Sequence, residues 1–227
     1  MVRHLYLHIP FCHRICPYCS FYKHQHGSTD LAAFVEAVLL EARRQAPKVR
    51  PGTVYLGGGT PTALSETHLR RLLEGLRDAL DLSEVVEFTS EANPRTVTPS
   101  KAAMMRELGV TRVSLGVQAW DEATLRTLGR DHAAAEAEET YRTLRAAGFA
   151  SVSLDLMFSI PGQSIEAWRE TLERTVALQP DHISAYNLNY EEDTEFFQRL
   201  RRGQYREDEG RDAEYFYLAL DRLEAAG

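Results

Sequence analysis

The sequence predicts an α/β fold in which helices flank a parallel β-sheet. Short β-type runs alternate with longer helical runs, and this βα unit recurs about every 30 residues, roughly six times over. A chain of 227 residues is long enough to bury about 70–75% of its unfolded surface in one core. Because parallel strands need right-handed crossovers, each helix is expected to return the chain to the same end of the sheet.

The first half of the chain alternates strands and helices as this fold requires. The first strand is predicted at 4–9, directly before the cysteines. An apolar stripe at Leu31, Phe34, Val35 and Val38 predicts a helix over 31–45, because this spacing lies on one helical face. The other elements predicted in this half are strands at 54–56 and 85–92 and helices at 65–80 and 99–109.

The second half continues the alternation. Gly148 and Pro180 are predicted to stop two of its helices. The strands are predicted at 112–117, 152–158 and 182–188, and the helices at 121–128, 133–147, 163–178, 194–202 and 208–226. The first unit lacks a G-x-G-x-x-G fingerprint, which argues against a nucleotide-binding doubly wound sheet. A partial TIM-like (β/α)6 barrel is the preferred closure, although the pattern alone does not separate it from an open sheet.

Composition excludes several classes of function. The net charge of −7 does not favour binding to nucleic acid or to an anionic membrane surface. No apolar run reaches membrane-spanning length, so the chain is not expected to be an integral membrane protein. The N-terminus lacks the apolar core of a signal peptide. Clustered thiols in an otherwise cysteine-free chain therefore predict the reducing cytoplasm.

The only three cysteines, Cys12, Cys16 and Cys19, lie within eight consecutive positions. Thiolates are soft ligands that suit zinc, copper(I) or iron–sulfur clusters. Closed zinc sites usually present four ligands, so three thiolates suggest a cluster with one vertex left open. A zinc ion completed by one of the nearby histidines, a disulfide framework and unrelated thiols are the alternatives. The candidate histidines are His8, His13, His24 and His26.

Polar residues recur where the predicted strands end. In (β/α) folds the carboxyl ends of the strands carry the chemistry. These residues are Gly58, Gly59, Thr60, Glu91, Asn93, Gln118, Asp155, Asn187 and Asn189. Taken singly, the glycines suggest a tight turn and Glu91 a solvated carboxylate. Asp155 lies inside an apolar run, where a carboxylate needs hydrogen-bond partners. Together these residues predict a site for a polar small molecule.

The spacing Cys-x-x-x-Cys-x-x-Cys, with Tyr18 before the last cysteine, resembles the signature of radical S-adenosylmethionine (SAM) proteins. The run from Tyr6 to Cys12 is similar to the branch that contains oxygen-independent coproporphyrinogen III oxidases and the heme chaperone HemW. This resemblance implies a (β/α)6 radical SAM barrel. It also implies a [4Fe-4S] cluster held by Cys12, Cys16 and Cys19, with SAM bound to the fourth iron.

The resemblance extends to the SAM contacts. It implies that the strand end at Gly58, Gly59 and Thr60 holds the amino group of SAM. Arg130, which on its own would be interpreted as a surface arginine, matches the position that pairs with the SAM carboxylate. Asp155 is suited to accept the ribose hydroxyls. The remaining residues that match the pattern are Tyr6, Tyr18, Glu91, Gln118 and Asn189.

Within the branch, Phe21 distinguishes two functions. Coproporphyrinogen dehydrogenases carry a further cysteine at this position, whereas Cys-Pro-Tyr-Cys-x-Phe resembles the HemW subgroup. The favoured function is therefore a heme chaperone that binds heme and transfers it to acceptor proteins. The alternatives are oxidative decarboxylation of coproporphyrinogen III and a zinc-stabilised binding domain. Residues 1–227 are expected to form the radical SAM core with its cluster loop at 12–19, without the family's further C-terminal region.

Overall fold

The computed structural model describes residues 1–25 and 27–227 and contains a six-stranded parallel sheet. The strands of this sheet follow one another in chain order from one edge to the other. Their bounds are β1 Val2–Ile9, β4 Val49–Gly58, β5 Glu87–Ala92, β6 Arg112–Gln118, β7 Ser151–Phe158 and β8 His182–Asn187. Two short strands, β2 (Phe11–Cys12) and β3 (His24–Gln25), pair separately beside the first strand's end.

Helices connect the strands as the sequence predicts. They are α1 Leu31–Gln45, α2 Glu66–Ala79, α3 Pro99–Glu107, α4 Glu122–Thr127, α5 Ala134–Ala146, α6 Ile165–Ala177, α7 Glu195–Arg201 and α8 Glu209–Ala226, with 3-10 turns at Ala46–Lys48 and Pro61–Ala63. Most begin with an oxygen-bearing side chain that caps a free backbone N–H group, as Asp30 does for α1 and Ser65 for α2. The predicted α/β fold is confirmed.

The sheet is buried between these helices. Residues 113–117 of β6 are all buried, as expected for a central parallel strand covered on both faces. Trp168 on α6 is fully buried, and its indole Nε1–H donates to the Tyr215 carbonyl at 3.0 Å, which attaches α8 to the core. Among the described residues, no helix combines the length and apolar character needed to cross a membrane.

The second sheet strand is longer than predicted. The sequence predicted a strand only at 54–56, whereas the observed strand includes Pro51 and Gly52, residue types that normally end a strand. In the structure β4 begins at Val49, and its register against β1 shifts between the pairs Val2–Val49 and His4–Thr53. This bulge accommodates Pro51 and Gly52 inside the strand. The predicted bounds were therefore wrong here, and the pair β2–β3 was not predicted at all.

The two edge strands, β1 and β8, are linked through the cysteine loop. Phe196, in α7 after β8, donates its backbone N–H to the Pro17 carbonyl in the loop after β1 at 3.1 Å. The Tyr18 and Phe196 rings also pack at 6.1 Å between centroids. The cysteine loop therefore spans the carboxyl end of the sheet from its first edge to its last.

Candidate functional site

A cavity of about 340 Å³ lies at the carboxyl ends of the strands, beneath the cysteine loop. All the predicted site residues except Tyr6 line it: Cys12, Cys16, Tyr18, Cys19, Gly58, Gly59, Thr60, Glu91, Gln118, Arg130, Asp155 and Asn189. Tyr6 is 55% exposed on β1, and its hydroxyl lies 3.1 Å from His8 Nδ1. It therefore lies one side chain away from the cavity wall.

The three cysteines are free thiols and are partly buried in the loop. Burial raises the pKa of the Cys12 thiol and of the Cys19 thiol above the usual range. A metal that binds such thiols must displace their protons, since thiolate is the ligating form. The arrangement thus gives three soft donors, spaced along one loop, that face a common cavity.

Glycines hold the start of the cysteine loop against the end of β4. Gly59 donates its N–H to the Ile9 carbonyl at 2.8 Å, and Thr60 donates to the Phe11 carbonyl at 2.8 Å. A Cβ atom on Gly59 would lie 2.7 Å from the Phe11 oxygen, and one on Gly58 would lie 2.6 Å from the His8 ring. Gly58 also has φ of +111°, which favours glycine. These glycines serve close packing of the loop, beyond forming a turn.

Glu91 is partly buried, and two donors hold its carboxylate. Tyr55 donates its hydroxyl to Oε1 at 2.9 Å, and Gly58 donates its N–H to Oε2 at 3.1 Å. Burial raises the pKa of Glu91, and these two hydrogen bonds oppose that rise. The alternative of a freely solvated carboxylate does not describe this position.

Asp155 lies on the cavity side of β7. The Ser114 hydroxyl lies 2.9 Å from both carboxylate oxygens, and the Ser153 hydroxyl lies 3.3 Å from Oδ1. Burial raises the pKa of Asp155, while its serine hydrogen bonds lower it. The carboxylate thus has the hydrogen bonds that its apolar sequence neighbourhood demanded.

Gln118 ends β6 with φ of +69°, in the left-handed region that is uncommon for residues other than glycine. The register of β6 against β7 also shifts between Gly116 and Gln118. This bulge turns the Gln118 side chain into the cavity lining. Asn189, just beyond β8, is an exposed residue that lines the same cavity.

Arg130 extends beneath the cysteine loop. Its Nη2 donates to Asn93 Oδ1 at 2.7 Å and to the Gly116 carbonyl at 2.8 Å, and its Nη1 lies 3.6 Å from Cys16 Sγ. Its Nε is buried and has no hydrogen-bond partner among the described residues. A partly buried cation with one donor unused is suited to an anionic ligand group.

Sequence reasoning missed Ser114 and Gly116 as lining residues and did not assign a role to Asn93. Alternation on β6 could have found the first two, because positions 114, 116 and 118 point to one face of a strand. Gly116 is tightly placed, since a Cβ atom there would lie 2.8 Å from Asn93 Oδ1. No such periodic signal exists for Asn93, which follows β5 in a loop.

The histidines proposed as zinc ligands have other contacts. His8 Nε2 lies 2.8 Å from the Tyr22 carbonyl, His13 Nε2 lies 3.3 Å from the Ala63 carbonyl, and the His24 ring packs edge-on against Phe11. His26 lies outside the described residues. Within residues 1–25 and 27–227, no group of three or more His, Cys, Asp or Glu side chains is arranged to hold a single metal ion.

Comparison with known proteins gives consistent matches. The heme chaperone HemW of Lactococcus lactis is 36% identical over 98% of this chain and 59% of its own length. The heme chaperone HemW of Bacillus subtilis is 33% identical over 98% of this chain and 60% of its own length. The chain therefore spans about three fifths of the curated relatives it matches.

A solved structure matches the whole fold. Coproporphyrinogen III oxidase (HemN) from Escherichia coli, described as a radical SAM enzyme, superposes with a TM-score of 0.88. The two sequences are 26% identical, and the match covers 100% of this chain and 53% of that one. The sequence model of the Radical SAM superfamily matches residues 6–175, which include the cysteine loop, the second half of β1 and the whole of β4, β5, β6 and β7. The chain belongs to the radical SAM superfamily.

Proposed function

We propose that residues 1–227 form the radical SAM core of a heme chaperone, which holds a cluster, binds SAM beside it and accepts heme at the mouth of the cavity. Membership of the superfamily implies a [4Fe-4S] cluster and SAM. The relatives named heme chaperones support the heme function. Transfer of heme to acceptor proteins follows from the same likeness, and the reducing cytoplasm that keeps thiols free is the proposed compartment.

The donor set fits the cluster. Cys12, Cys16 and Cys19 are free, lie on one loop and line one cavity. Three thiolates leave one iron of a cubane open for another ligand. Cys12, Cys16 and Cys19 would hold the cluster, which when reduced would supply an electron for the reductive cleavage of bound SAM.

The cavity also offers a partner for each polar part of SAM. The unpartnered Nε of Arg130 suits the carboxylate, Glu91 and the strand end at Gly58 suit the ammonium, and Asp155 suits the ribose hydroxyls. We assign Gly59, Thr60, Tyr18, Gln118 and Asn189 to the surrounding wall. Tyr6 would act through His8, whose ring packs on Gly58.

The side chains at the cavity mouth support the proposal that this protein binds heme. Ile15, Phe21 and Tyr186 line the cavity and are nevertheless 45%, 70% and 54% exposed. Arg14 and Lys23 line the same cavity. A tetrapyrrole has a flat apolar face and carboxylate side chains, so it matches an apolar rim that carries cations.

Anaerobic reconstitution with iron and sulfide tests the cluster. We expect about four irons per chain and broad visible absorption. Cys16→Ala should lose most of this iron, because two thiolates cannot hold the cluster. Full iron content in Cys16→Ala would contradict the assigned ligands. One equivalent of zinc and no iron after oxygen-free purification would instead support the zinc-stabilised binding domain.

Hemin titration tests whether heme binds at the apolar rim of the cavity. We expect a Soret shift with the reconstituted chain and at least about tenfold weaker binding in Phe21→Asp, because burying an aromatic side chain contributes about 1.5–3 kcal/mol. Val86→Asp is the matched control, since Val86 is 81% exposed but lies outside the cavity lining. No Soret shift, or equal weakening in both variants, would count against heme binding at the rim.

Coproporphyrinogen oxidation is the second candidate function. The TM-score of 0.88 with the Escherichia coli coproporphyrinogen III oxidase supports it. Phe21, which replaces the further cysteine of that enzyme group, argues against it. Anaerobic incubation with coproporphyrinogen III, SAM and a reductant should yield no protoporphyrinogen IX. Formation of that product with release of two carbon dioxide molecules per porphyrinogen would establish the enzyme instead.

A further inference from the structure

Asn93 connects two side chains that reach the cysteine sulfurs. Its Nδ2 lies 2.9 Å from Thr60 Oγ1, and its Oδ1 accepts from Arg130 Nη2 at 2.7 Å. Beyond Asn93, Thr60 Oγ1 lies 3.8 Å from Cys12 Sγ, and Arg130 Nη1 lies 3.6 Å from Cys16 Sγ. One amide thus lies between the donors to two of the three thiols.

The directions of these bonds follow from the chemistry of the groups. A guanidinium can only donate, so the amide oxygen of Asn93 must face Arg130. The amide nitrogen then faces Thr60 and donates to its oxygen. Since a hydroxyl has one proton, Thr60 keeps that proton for Cys12. Asn93 therefore directs the Thr60 hydroxyl toward sulfur.

Hydrogen bonds to backbone carbonyls hold the loop that carries Asn93. The Asn93 carbonyl accepts from Thr96 Oγ1 at 2.6 Å, which holds the turn after β5. Lys101 donates from Nζ to the carbonyls of Thr62, Leu64 and Thr96, each at 2.9 Å. These bonds join the loop that carries Thr60 to the loop that carries Asn93. Rotation of the Asn93 side-chain amide would break both of its own bonds, to Thr60 and to Arg130.

We propose that Asn93 is a positioning residue that tunes the reduction potential of the cluster. It does so by orienting the Thr60 hydroxyl toward Cys12 and by holding Arg130 beside Cys16. Hydrogen bonds to cluster sulfur stabilise the more negative, reduced state and so raise the potential. The inference depends on the proposed function only in that the three cysteines hold a cluster.

Asn93→Asp changes the hydrogen-bond direction with little change in shape. The carboxylate still accepts from Arg130, but it also accepts from Thr60 and draws that hydroxyl proton away from Cys12. We expect normal iron loading and a one-electron reduction equilibrium about tenfold less favourable, which corresponds to about 59 mV. The measurement is a redox titration of the reconstituted chain without SAM, followed by electron paramagnetic resonance.

Three further variants test whether the Thr60 hydroxyl or the added negative charge causes the shift in potential. Thr60→Val removes the hydroxyl in the same shape and should lower the potential, whereas Thr60→Ser retains the hydroxyl and should leave the potential near that of the unaltered chain. Asn187→Asp places the same charge at another lining asparagine and should shift the potential less than Asn93→Asp. If Asn93→Asp fails to load iron, the comparison of Thr60→Val with Thr60→Ser still tests whether the hydroxyl directed at Cys12 raises the potential.

The outcomes distinguish this inference from the proposed function. Unchanged potentials in fully loaded Asn93→Asp and Thr60→Val would overturn the role of Asn93 and leave the cluster assignment intact. An equal shift in Asn187→Asp would assign the effect to charge and would also overturn it. Failure of the unaltered chain to load iron would instead overturn the proposed function.

Discussion

Lys101 shows at the scale of one residue how a buried charge can join two loops of the site. Its Nζ satisfies three backbone carbonyls, and burial lowers its pKa. Lys101→Met keeps most of the stem but leaves these carbonyls unpaired. We expect a loss of about 2–4 kcal/mol in the free energy of unfolding, measured by urea denaturation. Exposed Lys48→Met should have almost no effect, and equal losses would refute this role.

His132 predicts a pH dependence of stability. The Val117 carbonyl can only accept, so Nε2 carries a proton and donates to it at 3.2 Å. Burial first, and then Arg130, lower the pKa of His132 to about 4, against the opposing influence of the hydrogen bond to Val117 and of Asp131 and Glu136. The unfolded chain binds this proton more tightly, so the stabilising contribution is complete above the ordinary pKa and is lost as pH falls toward 4.

The expected size of this loss is about 2–3 kcal/mol between about pH 7.5 and pH 4.5. His132→Gln should lack this part of the acid sensitivity, because glutamine does not titrate. The measurement compares urea midpoints of both chains at the two pH values, with partly exposed His68→Gln as control. Parallel pH dependence in His132→Gln and the unaltered chain would contradict the prediction.

Sequence reasoning predicted the residues of the cavity better than their interactions. Residue type and position near a strand end predicted Glu91, Gln118 and Asp155, because chemistry collects at that edge. The link from Asn93 to Thr60 depends on partners 33 positions apart, which no local pattern encodes. The roles of these residues in binding SAM remain predictions, as does the contact predicted for Tyr6.

At the scale of elements, the end of α4 sets the position of Arg130. The helix is followed by Gly129, with φ of +65°, and the Arg130 N–H then donates to the Leu125 carbonyl at 2.9 Å. A Cβ atom on Gly129 would lie 2.6 Å from Pro17 Cδ in the cysteine loop. The helix end is therefore packed directly against that loop.

Gly129→Ala should therefore disturb the cluster loop. Gly148 is the matched control, because it follows α5 with φ of +77° and a Cβ atom there would meet nothing within 4 Å. Both alanines should cost about 1–3 kcal/mol of backbone strain, and only Gly129→Ala should also lower iron content after reconstitution. Equal iron loading in both variants would show that contact with Pro17 is unimportant.

Helices were easier to predict than the shorter strands. Apolar periodicity and capping side chains are local, so the predicted bounds of α1 and α2 agree with the structure to within about two residues. The strands β2 and β3 are two residues each and exist only because distant backbone groups pair. Their pairing carries no propensity signal of its own.

At the scale of the whole molecule, burial predicts an order of local stability. The interior of β6 is buried at every position from 113 to 117, whereas β8 is an edge strand without a fully buried residue. Hydrogen exchange followed by mass spectrometry should find peptides of β6 protected longest and those of β8 exchanging earlier. Equal protection of the two strands would contradict this order.

The hydrogen bond from Phe196 to Pro17 means that a cluster on the cysteine loop would also stabilise the link between the two edges of the sheet. The cysteine loop, which would carry iron, also connects the first edge of the sheet to the last. The two edge strands, β1 and β8, do not pair with each other in the sheet. Oxidative loss of iron would loosen the cysteine loop, weaken its bond to Phe196 and let the two edges of the sheet separate. Exposure of the iron-loaded chain to air should therefore increase proteolytic cleavage near Pro17 and Phe196, which can be measured without any redox method.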